Sequence, residues 1–171
     1  MGRLLRVCVG QAWRGAAIEV VMTNERERQS YYGAVNLMSR EFHLQAFSGG
    51  TGENTVAYLR SLKELYRGKR LLLIWDGATY HRDLHCQEFL AEVNQGLEEK
   101  DWLVTCLRFA PNAPEQNPVE DIWLAGKNYV RKKFAGNKTF AAVKKSFCDF
   151  LEGFLLDSVK FDWYAPSTQT I

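Results

Sequence analysis

The spacing of apolar and polar positions divides the chain into two parts with different periods. Up to residue 47 the apolar residues fall in short runs: residues 4–9, residues 17–22 (rich in β-branched side chains), residues 31–38 and residues 42–47. In the last of these Phe42, Leu44 and Ala46 alternate with His43 and Gln45, the period of a half-buried strand. The polar stretch 24–29 and the triplet Ser39-Arg40-Glu41 are the connections, and connections this short predict antiparallel pairing. After Gly49-Gly50 the period lengthens. Thr51 or Asn54 caps a predicted helix carrying Val56, Leu59, Leu62 and Leu65, and Gly68 ends it. Residues 70–75 form an unbroken apolar strand, as expected for one buried on both faces. A weaker helix over 83–95 and a strand over 102–109 follow. Asn117 and Pro118 then open a helix to about Phe134, and Thr139 caps a last helix with Phe140, Val143, Phe147, Phe150, Leu151 and Phe154 toward the core.

The predicted order is a set of antiparallel strands followed by β-α-β units, whose crossovers add parallel strands to the same sheet. This is the chain order of an RNase H-like α/β fold: a mixed sheet with early antiparallel strands, then β-α-β units, and helices on both faces. With 171 residues the chain suits one domain, expected over 1–171. The apolar and charged fractions, 46% and 25%, exclude a disordered or fibrous chain. Apolar runs such as Leu71–Trp75 are far too short to cross a bilayer, and the first residues do not resemble a secretory signal. Cys8, Cys86, Cys106 and Cys148 are widely spaced without a C-x-x-C pair, which points to free thiols in a reducing cytosol. His81, His85 and Cys86 lie close together, but no second ligand pair stands at zinc spacing.

Net charge is only +2, and its distribution is more informative than its sum. An acidic block over 76–125, with 10 acids against 3 bases, separates two basic regions. No Asp precedes Asp76; the six acids upstream are all Glu.

Asp76 directly follows the most apolar strand, at the carboxyl end where α/β sheets place ligands. Glu120 falls in the first turn of the helix opened by Pro118. Helix, strand and loop between them can return the chain to one sheet edge. Converging carboxylates form a hard-oxygen site suited to Mg²⁺ or Mn²⁺. Two such ions about 3.5–4 Å apart clamp the attacking and leaving oxygens of a phosphodiester displacement. The plainer alternative is an Asp that shapes a turn and a Glu that complements a helix dipole.

The segments Trp75-Asp-Gly-Ala-Thr-Tyr-His81 and Phe109-Ala-Pro-Asn-Ala-Pro-Glu-Gln-Asn-Pro-Val-Glu-Asp-Ile-Trp123 resemble the second- and third-acid motifs of mariner-type DDE transposases, in the bacterial insertion-sequence branch. Asn24 to Asn36 is similar to that branch's segment between early strands, so the resemblance runs from about Leu4 to Phe134. It implies that Asp76 and Glu120 are catalytic metal ligands and that Mg²⁺ or Mn²⁺ is the cofactor, in a two-metal site. It also implies that the reaction is cleavage and strand transfer of transposon DNA ends, with DNA as partner. A homo-oligomer on those ends and a bacterial, cytoplasmic, nucleoid-associated location are implied as well. The family's first acid aligns at or just before Met1, so the expectation is a catalytic domain lacking the start of its first strand and inactive or nearly so alone. A helix-turn-helix region that reads terminal repeats is not expected within it.

Four further features attach to this site. His81 orients a phosphate or a metal-bound water, or else hydrogen-bonds its own loop. Asn112, Gln116 and Asn117 either cap the helix and settle the loop or touch DNA. Trp75 and Trp123 are expected to pack. From Lys127 to Lys145 seven bases and no acids occur; Lys127, Arg131, Lys132 and Lys133 are the candidate DNA contacts, Lys127 two turns beyond Glu120 on the same face. A noncatalytic RNase H-like remnant, acting in DNA binding or oligomerisation, is the alternative function.

Overall fold

A computed structural model describes residues 27–75, 83–110, 117–133, 136 and 139–155. The runs expected as strands over 4–9 and 17–22 lie outside these residues. Within them the elements are β1 (Ser30–Val35), β2 (Phe42–Phe47), α1 (Gly52–Leu65), β3 (Leu71–Trp75), α2 (Leu84–Val93), β4 (Val104–Arg108), α3 (Pro118–Lys132) and α4 (Phe140–Leu151). β1 and β2 pair antiparallel, Ser30 opposite Phe47 and Val35 opposite Phe42. β3 and β4 pair parallel, from Leu71 opposite Val104 to Trp75 opposite Arg108. This mixed α/β order is that of the expected RNase H-like fold.

Local chemistry sets the boundaries. Thr51, Asp83, Asn117 and Thr139 cap their helices, each side chain accepting from a backbone N–H of the first turn. Gly68 follows α1 with φ +78, a left-handed conformation that favours glycine. Asn94, 8% exposed at the end of α2, donates to the Val104 carbonyl and accepts from the Leu103 and Val104 N–H groups, which fixes the start of β4.

Helices lie on both faces of the β1–β2 hairpin. On one side α1 spans both strand pairs: Tyr58 and Leu62 pack with Tyr32, Ala34 and Phe47 of the hairpin and with Leu71 and Leu73 of β3. α2 lies beside α1, with the Asp83 cap against Gly52. On the other side α3 and α4 cover the β1–β2 hairpin. Val119, Ile122, Trp123 and Val130 of α3 join Val143, Phe147 and Leu151 of α4 over Tyr31 and Phe42.

Two expectations are corrected. β3 is not buried on both faces: Leu72 is 62% and Ile74 43% exposed, because among the described residues α3 and α4 cover the hairpin and not the β3–β4 pair. On α1, Leu65 is 56% exposed, and Thr55 and Tyr58 take core positions instead, since the buried stripe lies a residue earlier than the leucine spacing alone suggests.

The hairpin is tied to the end of α1 by Tyr66, whose hydroxyl accepts from Asn36 Nδ2 (3.0 Å) and contacts His43 Nε2 at 2.6 Å. Burial lowers the His43 pKa from its ordinary 6.5, only partly opposed by Glu41. Because the folded value is depressed, the unfolded chain binds the proton more readily. This contribution to stability is therefore complete above about pH 6.5 and is lost as the pH falls below it. Urea midpoints at pH 7.5 and 5.5 are expected to differ more for the native chain than for H43Q; equal differences would remove His43 from the account. A second test concerns Gly33, where a Cβ would press into the Phe42 ring and lie 2.7 Å from Trp123 Cζ2. G33A is expected to cost about 1–3 kcal/mol in urea unfolding.

Candidate functional site

β3 and β4 run parallel and finish together: Trp75 stands opposite Arg108, and Phe109 N–H donates to the Trp75 carbonyl at 3.0 Å. Chain leaving either strand therefore starts from one edge. Asp76 follows Trp75 in sequence; Asp76, His81, Asn112 and Gln116 lie outside the described residues. Asp83 and Asn117 are the caps of the two helices that come next along the chain from β3 and β4.

Asn117 is 9% exposed and its Oδ1 accepts from Val119 N–H at 3.2 Å. The Glu120 N–H donates to the Asn117 carbonyl at 3.1 Å. Asn117 is thus the cap of α3, the first of the two roles left open for it, and it sets the turn that carries Glu120. Pro118 occupies the first helical position, where its missing N–H costs nothing. Glu120 is exposed, and among the described residues its carboxylate has no hydrogen-bond or ion-pair partner. A carboxylate here gains from the helix dipole and is available as a hard oxygen donor. Among the described residues no group of three His, Cys, Asp or Glu side chains converges to hold a metal ion.

The helical step of about 100° per residue sorts the basic candidates. Glu120, Leu124, Lys127 and Arg131 form one stripe, Lys127 about 10 Å and Arg131 about 16 Å along the axis from Glu120. Arg131 Nη1 donates to Asn128 Oδ1 at 3.0 Å, which holds the guanidinium along the helix. Lys132 lies about a third of a turn round the helix from Arg131. Lys133 is the C-cap, its Nζ 5.7 Å from the Tyr129 ring centroid. Of the four candidates, two share the Glu120 face. Sequence spacing contained this distinction for Arg131, because 11 residues return a helix to the same side as surely as seven do. Farther on, Lys145 pairs with Asp149 at 2.6 Å and Lys144 lies over the Phe140 ring, so the basic run is not one continuous surface.

Trp75 is partly buried and Trp123 is 1% exposed against Phe42 and Phe147, as packing requires. Burial pushes the Cys106 thiol up to about 12 and raises Cys86, so both stay protonated at neutral pH. Cys86 is fully buried while its neighbour His85 is exposed and bonded to Asp83 at 2.6 Å, so the two do not converge as zinc ligands. No helix among the described residues is long and apolar enough to cross a membrane.

Residues 9–141 match the family described as DDE superfamily endonuclease. No curated protein matches the chain.

The cap makes a direct prediction. N117A is expected to cost about 1 kcal/mol of stability, while N117D or N117S, which keep an acceptor oxygen, restore most of it in thermal melts.

Proposed function

The chain belongs to the DDE superfamily endonucleases, and we propose that it is the catalytic domain of a transposase that cuts transposon DNA ends and joins the freed 3′-hydroxyl to new DNA. The finer placement proposed is the mariner-type, bacterial insertion-sequence branch, resting on the two motifs around Asp76 and Glu120. The observation that carries the reading is the α3 stripe: a Glu120 carboxylate at the first turn, exposed and without a partner among the described residues, with Lys127 and Arg131 on the same face. A polyanion with a divalent cation at its cleavage point suits that combination.

In this mechanism Asp76 and Glu120 would hold Mg²⁺ or Mn²⁺ by hard carboxylate oxygens. Such a cation would supply Lewis-acid charge at the reacting phosphate. Lys127 and Arg131 grip the backbone phosphates next along the strand, orienting the scissile bond without reading sequence. His81 orients a phosphate and Asn112 supports the loop. Asn117 is a positioning residue that acts through the helix turn bearing Glu120. Lys132 and Lys133 contribute to a more distant phosphate contact. A homo-oligomer on the transposon ends completes the assembly, in a bacterial cytoplasm where the protein associates with the nucleoid.

One observation favours a second reading. No Asp occurs before residue 76, so residues 1–75 offer no Asp to stand as the family's first acid. A noncatalytic DNA-binding or oligomerisation module is consistent with that. Loss of one anionic ligand that touches both ions costs several kcal/mol of transition-state stabilisation, about a thousandfold or more in rate.

Two measurements test these readings. Binding to duplex DNA is expected to weaken with salt, and K127E with R131E should lower the slope of log affinity against log salt by about 1.8. K132E with K133E should lower it less; no DNA affinity at low salt would sink both readings. In a nicking assay on terminal-repeat DNA with Mg²⁺ or Mn²⁺, the 171-residue chain is expected to cut at the limit of detection. Efficient cutting that D76A abolishes would overturn the view that two carboxylates are insufficient.

A further inference from the structure

We infer that Arg108, the last residue of β4, is a further DNA-binding residue, its guanidinium taking a backbone phosphate of the strand that lies across the carboxyl ends of β3 and β4. This rests on the nuclease reading above and adds a contact on the sheet to those on α3.

Arg108 differs from the other described arginines after Ser30. Arg60 pairs with Glu92 at 3.0 Å and lies over the Phe89 ring, and Arg67 pairs with Glu64. Arg70 pairs with Asp101 and donates to the Lys100 carbonyl, and Arg131 donates to Asn128. Arg40 is likewise engaged. Arg108 is exposed and has no hydrogen-bond, ion-pair or ring partner among the described residues. An arginine that serves the fold is held by a carboxylate, a carbonyl or a ring, and this one is held by none.

Its neighbourhood is rich in carboxylates that pair elsewhere. The block 76–125 carries 10 acids against 3 bases, which are Arg82, Lys100 and Arg108. Lys100 pairs with Glu98 at 2.7 Å and Arg70 with Asp101 at 3.8 Å, both at the amino end of the β3–β4 pair. The charge at the carboxyl end is left for a ligand.

Position says which ligand. Parallel strands about 4.8 Å apart set Arg108 beside Trp75, the residue before Asp76. Ligands of α/β sheets gather at this edge. The backbone here is already fixed, because Phe109 N–H donates to the Trp75 carbonyl, so only the side chain orders on binding. A guanidinium fork matches the two free oxygens of a phosphodiester, and an unpaired one reaches them without first breaking an ion pair. Lys127 and Arg131 share one face of α3, so their grip alone lets a strand pivot about that helix. A contact from β4 holds it on a second element.

The test is binding of the full chain to a short fluorescein-labelled duplex over a range of salt. R108Q is expected to lower the slope of log affinity against log salt by about 0.9, the share of one phosphate. Binding near physiological salt should weaken roughly five- to tenfold, with a native thermal midpoint. R108K keeps the charge without the fork, so it should restore the slope and only part of the affinity. K69Q removes an equal exposed charge at the amino end of the β3–β4 pair and should leave the slope unchanged. An unchanged slope in R108Q, where K127E with R131E lowers it, would overturn the inference and leave the nuclease reading standing. Equal losses in R108Q and K69Q, or no recovery of slope in R108K, would overturn it too, because net charge or local structure would then be at work. No affinity for DNA at low salt would sink both.

Discussion

One aromatic contact between α3 and the hairpin sets the rotation of the helix that carries Glu120. Trp123 meets Phe42 edge-on with ring centroids 5.2 Å apart and stacks with Phe147 at 6.0 Å. The fit demands two glycines. Gly33 lets Trp123 and Phe42 close over β1, and Gly126 lets Phe147 come against α3, where a Cβ would lie 2.6 Å from the Phe147 ring. Aromatic pairs in these geometries add about 0.5–1.5 kcal/mol beyond the area they bury. Their greater effect is directional. Trp123 lies almost one turn after Glu120, so holding the indole in place fixes which way the first turn of α3 points.

The rotation set by that contact separates two surfaces of α3. One carries the packing residues Val119, Ile122, Trp123 and Val130; the other carries Glu120, Leu124, Lys127 and Arg131. Because Trp123 and Phe42 fix the first, the second cannot turn inward. A carboxylate and two cations are thereby held on one solvated stripe. Their separation follows from helical rise and not from any direct bond between them.

Much of this was legible in the sequence because it is local. The residues that cap helices, Thr51, Asp83, Asn117 and Thr139, are short polar side chains before periodic segments, and β2 falls where its alternation puts it. The candidate site was legible in part: Asn117 and Glu120 stand where a capped helix start requires, whereas Asp76, His81 and Asn112 fall outside the described residues. What local pattern could not supply was cover. The apolar run Leu71–Trp75 is the same sequence whether one face or two is packed; among the described residues α3 and α4 lie over the hairpin, and Leu72 and Ile74 are exposed. Asn94 is a similar case: near Gly96 it resembles a turn residue, and its hold on three backbone groups of Leu103 and Val104 depends on partners nine and ten residues away.

The reach of α1 across both strand pairs also bears on the order in which the molecule assembles. Tyr32, Tyr58, Leu62, Leu71 and Leu73 all belong to the continuous stretch from Ser30 to Trp75. Closing contacts over short separations costs little chain entropy and is fast. Hairpin, helix and strand in this stretch can therefore gather on the emerging chain before α3 has been synthesised. The strand that ends at Trp75 is thus in place first, and the helix bearing Glu120 arrives later to dock on a hairpin already formed.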